Sequence, residues 1–282
     1  GFNATTISEL RVPFMPKEIK IVKEPPKLVP WPIANKDQRQ NSAALVIGIS
    51  DYKNVNKLKY AQKDAELVAN YLNGVVGIPE KNIVKLFDDN ATKSIIEAKI
   101  NEWLIQKNFD FIVFYFAGHG IPDPKNPRSG EPYLIPYDGN IDLKGTLVSL
   151  NEIITKLEKS TAKDILVILD ACFSGAGGRT PQLLAQRGIA VVPKFEQKRA
   201  IIISATSETQ PSFEFEKVGH GYFTYYFLLG LKGEADVNQD GIITLQEAFN
   251  YVKTKLEEEL DGKQLPTCSN LPDSPFNLGR YK

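Results

Sequence analysis

The segment that most constrains the fold of this chain is a run of five apolar residues followed by an acid and a thiol. It reads ILVILDACFSG over residues 165–175, with Asp170 and Cys172 just after the apolar run. Five apolar residues in succession predict a strand that is buried on both faces. In an open α/β sheet, ligands bind just beyond the carboxyl ends of the strands. Asp170 and Cys172 are therefore expected where such a fold places its chemistry.

A second apolar strand ends in a titratable side chain in the same way. Residues 109–120 read FDFIVFYFAGHG, and they end with His119 between two glycines. Neighbouring parallel strands bring their carboxyl ends together, so we expect His119 to lie near Cys172. An imidazole can take the proton of a thiol and leave a nucleophilic thiolate. The other histidine, His220, also lies in Gly-His-Gly, but no strand is predicted to aim it, and it is the weaker candidate for the base.

A cysteine at the end of a strand is most often only a small buried hydrophobe, and that interpretation of Cys172 has to be weighed. The glycines around both predicted sites favour chemistry instead, because they let another backbone approach closely. They also leave the amides of Gly120 and Cys172 able to point at a developing oxyanion. The sequence therefore favours a nucleophilic role for Cys172, with His119 as its base.

Apolar strands and helices alternate along the chain. Continuous apolar runs in the strands predict a parallel sheet that is covered by helices on both faces. The predicted strands are 43–49, 82–87, 109–120, 165–169 and 200–203. The predicted helices are 60–73, 92–106, 149–158, 222–231 and 245–260. The tail from Pro266 is expected to be irregular.

The first 41 residues differ from the rest of the chain in their proline content. Six prolines between Pro13 and Pro32 exclude a helix, and residues such as Trp31 make the segment too apolar for a free linker. We expect residues 1–41 to form an arm that packs on the domain or links it to a missing upstream region. Residues 42–282 are expected to form one α/β domain.

Composition limits the partners of the chain. Its 282 residues include 34 basic and 34 acidic side chains, so no excess charge attracts nucleic acid or an anionic membrane. No apolar run is long enough to span a bilayer, and a soluble protein is expected, with the cytoplasm and the periplasm both left open. Two cysteines are too few for a disulfide framework.

The two strand-end motifs resemble the signature motifs of caspase-like cysteine peptidases of clan CD, in particular the bacterial orthocaspase and metacaspase branch. His119 precedes Cys172 by 53 residues, near the caspase spacing of about 50. The resemblance implies a three-layer fold with a mostly parallel six-stranded sheet. It also implies a dyad in which Cys172 attacks the scissile carbonyl, His119 is base and then acid, and Gly120 and Cys172 supply the oxyanion amides. The resemblance runs from about residue 43 to about residue 260 and includes FAGHG, DACFSG, YAQKDA, SATS and GHGYFT.

The chain departs from true caspases in ways that bear on specificity. It has Asp-Ala-Cys where caspases have Gln-Ala-Cys, and no arginine lies between residues 43 and 127 to hold an acidic substrate residue. Alternation along the strand places Asp170 on the same face as Cys172. The resemblance makes Asp64 a second pocket acid and Ser204 a further substrate-binding residue.

Two acids in a partly closed cleft repel each other unless a cation lies between them. Protein or peptide substrates with Arg or Lys at the cleavage position are therefore predicted, with Arg favoured where acceptors are planar. Without the resemblance, the alternative is that Asp64 caps or pairs locally, which its position then favours, and that Asp170 holds a loop. Asp51 and Glu208 are weaker pocket candidates.

The loop of residues 175–199 is glycine-rich, basic and directly after the nucleophile. It contains the residues that the predicted pocket accepts. Arg179 and Arg187 are the leading candidates for self-cleavage, beside Lys194, Lys198 and Arg199. The alternative is a flexible loop whose charges are only solvated.

Residues 236–247 match the EF-hand calcium-loop pattern without a mismatch. Calcium here would be structural or regulatory, and no cofactor is expected in catalysis. The alternative is a polar turn in which Thr244 caps the last helix. The expected ligands are Asp236, Asn238, Asp240, the carbonyl of Ile242, and Glu247.

The sequence thus favours a cysteine endopeptidase that cleaves after basic residues. Two interpretations from other classes remain: a catalytically silent caspase-like module, and a calcium-responsive interaction module. A phosphate-binding α/β protein is disfavoured, because no glycine-rich loop with a lysine follows the first strand.

Overall fold

The computed structural model describes residues 24–30, 39–126, 131–171, 173, 199–206 and 212–281. Its strands in chain order are β1 (Ser42–Gly48), β2 (Ile83–Phe87), β3 (Phe111–Ala117), β4 (Gly120–Pro122), β5 (Pro132–Leu134), β6 (Val148–Ser149), β7 (Asp164–Asp170), β8 (Ile201–Ser204), β9 (Glu214–Phe215), β10 (His220–Gly221), β11 (Ile242–Thr244), β12 (Thr267–Ser269) and β13 (Asn277–Arg280).

Five α-helices occur among these residues, and some continue into other helical forms. They are α1 (Ala61–Gly74), α2 (Lys93–Ala98), α3 (Leu150–Glu158), α4 (Tyr222–Leu229) and α5 (Leu245–Leu260). α2 runs on as a π-helix over Lys99–Leu104, and α4 does so over Gly230–Glu234. No helix of the described residues is both long and apolar enough to cross a membrane.

The main sheet has six strands in the order β12-β8-β7-β3-β1-β2. Every neighbouring pair is parallel except β12 and β8, which are antiparallel. All residues of β1 and β3 are buried, so both faces of the sheet are covered. The predicted α/β class with a mostly parallel six-stranded sheet is therefore confirmed.

The register of the central strands brings three strand ends to one level. Ala117 at the end of β3 pairs with Gly48 of β1 on one side and with Asp170 of β7 on the other. His119 follows Ala117 by two residues, and in the sequence Cys172 follows Asp170 by the same number. The parallel register thus places the two predicted site motifs at the same level of the sheet.

The expectation of an irregular tail after Pro266 was wrong. β12 completes the main sheet by pairing with β8, and β13 pairs with β11. Both strands are short and carry few apolar residues, so they lack the alternation by which a strand is recognised in a sequence. They form because each lies against a strand that is far away in the chain.

The described part of the arm, residues 24–30, lies against α1 and α4. The carbonyl of Pro30 accepts a hydrogen bond from the Asn70 side chain at 3.0 Å, and that of Pro26 accepts one from the Tyr225 hydroxyl at 2.7 Å. Lys232 donates to the carbonyl of Lys27 at 3.2 Å. Backbone carbonyls of an extended segment thus anchor it to side chains of two helices.

Candidate active site

His119 lies just beyond the end of β3 and is buried. Its Nε2 lies 2.7 Å from the carbonyl oxygen of Asn56, and its backbone N–H donates to the Tyr52 hydroxyl at 2.7 Å. The rings of Tyr52 and His119 are 4.8 Å apart between centroids. A carbonyl can only accept, so Nε2 carries the proton and Nδ1 of the neutral ring carries the lone pair. The loop after β1 therefore orients His119 and makes Nδ1 its basic atom.

The glycines that flank His119 allow two close approaches. A Cβ on Gly118 would lie 2.4 Å from the Tyr52 hydroxyl, and one on Gly120 would lie 2.6 Å from the ring of Phe173. No side chain fits at either position without movement of its neighbour. The contact between Gly120 and Phe173 joins the segment after β3 to the segment after β7.

Only part of the second predicted motif, the one that contains Cys172, lies among the described residues. Ala171 and Phe173 are both buried, and the carbonyl of Asp170 accepts the Gly118 N–H at 3.2 Å. Cys172 itself lies outside the described residues. The two motifs thus meet through the residues next to the predicted dyad members, at Gly120 and Phe173.

Asp64, on the first turn of α1, is fully buried. Its Oδ1 lies 2.6 Å from Nδ1 of His220, and its Oδ2 accepts the backbone N–H of Gly221 at 2.8 Å. Because Asp64 Oδ1 accepts, Nδ1 of His220 carries a proton. The predicted pocket acid is therefore paired with the second histidine of the chain.

Asp170, at the end of β7, is also fully buried. Its Oδ1 accepts from the hydroxyl of Ser212 at 3.0 Å, and its Oδ2 accepts from the hydroxyl of Thr224 at 2.7 Å. The hydroxyl of Tyr115 lies 2.7 Å from that of Thr224 and donates to it, since Thr224 gives its own proton to Asp170. A chain of hydroxyl groups thus holds the second predicted acid.

The first turn of α4 links the two acids. Gly221 is the N-cap of this helix and contacts Asp64, and Thr224, three residues later, contacts Asp170. The positive end of a helix dipole stabilises carboxylates that lie within its first turn. The structure therefore gathers both acids at one helix end, near the carboxyl edge of the sheet.

The remaining pocket candidates are placed differently. Ser204 is buried at the end of β8, where it pairs with Leu169 of β7. The Asp51 side chain is 59% exposed and forms an ion pair with Lys57. Glu208 lies outside the described residues, as do Arg179 and Arg187 of the self-cleavage prediction.

Several residues that shape the site were not predicted to belong to it. No sequence pattern points to Asn56, because it acts through its backbone carbonyl. Tyr52, Ser212 and Thr224 contribute hydroxyl groups from positions that are distant in the chain from their partners. A signal did exist for His220 in the second Gly-His-Gly motif, but nothing local connected it to Asp64.

The predicted calcium loop is held by its own hydrogen bonds. Asp236 Oδ1 accepts the N–H of Asp240 at 3.2 Å, and Oδ2 accepts the N–H of Gly241 and the Tyr281 hydroxyl, each at 2.9 Å. Burial alone would raise the pKa of Asp236, but these hydrogen bonds outweigh it and hold that pKa below its ordinary value.

The last predicted calcium ligand has another role in this arrangement. The carboxylate of Glu247 accepts from the N–H of Thr244 at 2.9 Å, and the N–H of Glu247 donates to the Thr244 hydroxyl at 3.2 Å, which forms the capping box of α5. Asn238 and the N–H of Ile242 both bond to Asp240. Among the described residues, no three His, Cys, Asp or Glu side chains are grouped so that they could hold a metal ion. Calcium binding by this loop therefore stays a prediction, and Glu247 is engaged as a helix cap in this arrangement.

Comparison with known proteins finds metacaspases of low sequence identity to this chain. Metacaspase-1 of Eremothecium gossypii is 27% identical over 168 residues, and Metacaspase-1A of Aspergillus oryzae is 25% identical over 166 residues. These matches cover 54% and 55% of this chain, but only 36% and 39% of the relatives. The chain therefore spans well under half the length of these relatives, which are fungal and do not assign it to a bacterial branch.

The fold has a solved counterpart, and a family matches most of the chain. The crystal structure of protein GSU0716 from Geobacter sulfurreducens gives a TM-score of 0.60 at 20% identity, over 83% of this chain and 95% of that one. At this identity the likeness shows the fold. The caspase domain of peptidase family C14 matches residues 41–276. The chain therefore belongs to the caspase-domain family, a family of cysteine-type peptidases of clan CD.

Proposed function

We propose that this chain is a cysteine endopeptidase that cleaves proteins after Arg, or after Lys, with Cys172 as nucleophile and His119 as base. The observation that carries the proposal is the orientation of His119. Its Nε2 is held by the Asn56 carbonyl, so the lone pair is on Nδ1. The neighbouring Gly120 packs on Phe173, the residue that follows Cys172 in the chain.

In the proposed reaction, Nδ1 of His119 takes the proton of the Cys172 thiol, and the thiolate attacks the scissile carbonyl carbon. The N–H groups of Gly120 and Cys172 stabilise the oxyanion. The imidazolium then gives its proton to the leaving amine, and the C–N bond breaks. A water molecule, deprotonated by His119, hydrolyses the thioester and regenerates the thiol.

The carbonyl of Asn56 has a defined part in these steps. It accepts from Nε2 both before and after Nδ1 gains a proton, so the ring does not turn during the cycle. Its dipole also stabilises the imidazolium, which is the role that a carboxylate has in a Ser-His-Asp triad. A neutral carbonyl performs that role without adding a charge beside the nucleophile.

Asp64 and Asp170 would give the pocket its preference for a cation. Both are fully buried, so their charge acts through protein of low dielectric and is screened less than it would be in water. A substrate guanidinium would balance them, with Ser204 as a further contact. Self-cleavage at Arg179 or Arg187 follows from the same preference.

The experiment compares fluorogenic peptides that differ only in having Arg, Lys or Asp at the cleavage position. Wild-type protein should release the fluorophore from the Arg and Lys peptides, and Cys172→Ala should not. Equal turnover by Cys172→Ala, or a preference for Asp, would contradict the proposal. The intact mass after prolonged incubation tests self-cleavage, which the wild type should show and Cys172→Ala should not.

Cys268 provides a matched control for the nucleophile. Burial raises the pKa of the Cys268 thiol to about 11, so it is protonated at neutral pH and reacts slowly. Cys268→Ala should keep the activity, and a thiol-reactive peptide ending in Arg should label Cys172 and not Cys268. Calcium binding is a separate proposal, tested by titration of Ca²⁺ into wild type and Asp236→Asn. Equal heats or equal melting curves for the two proteins would contradict calcium binding at this loop.

A further inference from the structure

Two groups that hold His119 come from one loop, residues 49–58, which follows β1 and precedes α1. The carbonyl of Asn56 accepts from Nε2, and the hydroxyl of Tyr52 accepts the backbone N–H of His119, each at 2.7 Å. The orientation of the proposed base therefore depends on the shape of this loop. A residue that fixes the loop also fixes the base.

A carboxylate from the neighbouring strand holds the start of the loop. Asp88 directly follows the last residue of β2, the strand that pairs in parallel with β1. Its Oδ1 accepts the N–H of Ser50 at 2.7 Å and the N–H of Asp51 at 2.9 Å. One oxygen atom thus binds two successive amides of the turn that leads to Tyr52.

The turn that begins at Asp88 meets the same loop a second time. The carbonyl of Asp88 accepts the N–H of Ala91 at 2.8 Å, and the carbonyl of Ala91 accepts the N–H of Tyr137 at 3.0 Å. The carbonyl of Tyr137 then accepts the N–H of Lys53 at 3.1 Å. The loop is therefore held on both sides of Tyr52, by the Asp88 side chain and by backbone hydrogen bonds that start from its carbonyl.

The backbone of Asp88 lies in the left-handed region, with a φ of 42°. Residues with a side chain rarely adopt this region, although Asp and Asn tolerate it better than most. Such a conformation persists only where the surrounding structure imposes it, and residues of this kind cluster at functional sites. Here the residue that has it binds the loop that orients the proposed base.

We propose that Asp88 is a positioning residue for the base: by binding the N–H groups of Ser50 and Asp51, it fixes the loop that orients His119. Its contacts with the loop are to backbone amides, so it acts through the shape of the loop. A small displacement of a positioned catalytic group lowers the rate strongly, whereas substrate affinity depends on other contacts. This inference rests on the proposed function.

The test variant is Asp88→Gly, because glycine adopts a positive φ without strain and offers no side-chain acceptor. The fold should be retained, which melting curves check, while the two loop amides lose their partner. For a peptide with Arg at the cleavage position, kcat should fall by about tenfold with KM little changed. Asp88→Asn keeps an oxygen acceptor and tolerates the same φ, so it should retain nearly all of the activity.

The next acid in the chain provides a matched control. Asp89 is exposed, lies in the same turn and accepts a hydrogen bond from the side chain of Asn90 at 3.1 Å. Asp89→Gly removes a carboxylate from the same turn but leaves the acceptor of the loop amides in place, so kcat should be unchanged. Equal losses of kcat in Asp88→Gly and Asp89→Gly would overturn the inference.

A second measurement observes the ring of His119 without turnover. The chain has two histidines, so ¹⁵N NMR of histidine-labelled protein shows two rings, and His220→Gln assigns them. The background is Cys172→Ala at about pH 8, above the ordinary pKa of an imidazole. There Nε2 of His119 should carry the proton. Adding Asp88→Gly should give a mixture of the two tautomers, because the Asn56 carbonyl is no longer held against Nε2, and adding Asp88→Asn should not.

The outcomes distinguish this inference from the proposed function. An unchanged tautomer, or an unchanged kcat, in Asp88→Gly would overturn the role of Asp88 and leave the proposed peptidase intact. A wild type that cleaves none of the peptides would overturn the proposed function, and the NMR spectra would then decide alone whether Asp88 holds the ring. Should Asp88→Gly fail to fold, Asp88→Ser takes its place, since it shortens the acceptor by one bond. Values of kcat and a tautomer equal to those of Asp88→Asn would then overturn the inference.

Discussion

The chain contains the tripeptide Gly-His-Gly twice, and the two copies are used in opposite ways. At His119, Nε2 donates to a backbone carbonyl, which leaves Nδ1 basic. At His220, Nδ1 is bonded to the carboxylate of Asp64. The tripeptide is the same, but one follows a central strand of the parallel sheet and the other lies in a two-residue hairpin strand before α4. The tripeptide therefore does not decide which nitrogen is held; the distant partner of each ring does.

The chemical nature of the hydrogen-bond partner distinguishes the two histidines. A carbonyl holds the ring of His119 without changing the charge around it, which suits a base that must gain and lose a proton in each cycle. The buried carboxylate of Asp64 accepts a hydrogen bond from His220, which suits a ring that holds a charged group in place. One histidine is thus placed for proton transfer and the other for holding a carboxylate.

The largest expected effect is a difference in enzymatic activity between variants of the two histidines. His119→Ala removes the base, and kcat/KM for an Arg peptide should fall by about 10³-fold. His220→Gln should change kcat far less, because it removes no group that contacts the reacting atoms. Steady-state kinetics at about pH 8 measure both variants. Similar losses of kcat in the two variants would remove the distinction between the motifs.

The next effect concerns stability at the second motif. Asp64→Ala leaves the buried His220 imidazole and the Gly221 N–H without their acceptor, and should lower the free energy of unfolding by about 3 kcal/mol. Urea denaturation measures this loss. The matched control is Asp51→Ala, whose exposed ion pair with Lys57 should contribute less than about 1 kcal/mol. Equal losses in the two variants would show that the Asp64 contacts are not structural.

A smaller effect is expected at the glycine after His119. Gly120→Ala places a methyl group against the ring of Phe173 and should cost about 1–3 kcal/mol through displacement of that ring. The kcat for Arg peptides should fall with it, and Phe173→Leu in the same chain should restore part of the loss. Gly145→Ala, where nothing lies within 4 Å, is the control. Absence of any rescue would mean that this contact does not position the site.

The smallest effect tests the support of His119. Tyr52→Phe keeps the ring but removes the hydroxyl that accepts the buried N–H of His119, at a cost of about 1–2 kcal/mol. We expect kcat to fall by about tenfold with KM little changed, because the hydroxyl fixes the base and does not contact substrate. A change in KM alone would assign Tyr52 to substrate binding instead.

Part of the site could be predicted from the sequence because its signals are local. Asp170 and His119 each end a long apolar run, and runs of that kind are typical of strands that are buried on both faces. Since parallel strands end at a common edge, their order along the chain was enough to place both residues there. The match of residues 41–276 to the caspase domain agrees with the motifs that suggested it.

The tertiary structure alone decided which groups those side chains meet. Asn56 lies 63 residues from His119 in the chain, and Asp64 lies 156 residues from His220, so no local pattern could join either pair. The edge strand β12 and the capping role of Glu247 escaped prediction for a related reason. Short edge strands form only against a partner, and a carboxylate near a helix N-terminus can serve either a cap or a metal. The sequence therefore determined where the chemistry lies, and long-range hydrogen bonds determined what each group there can do.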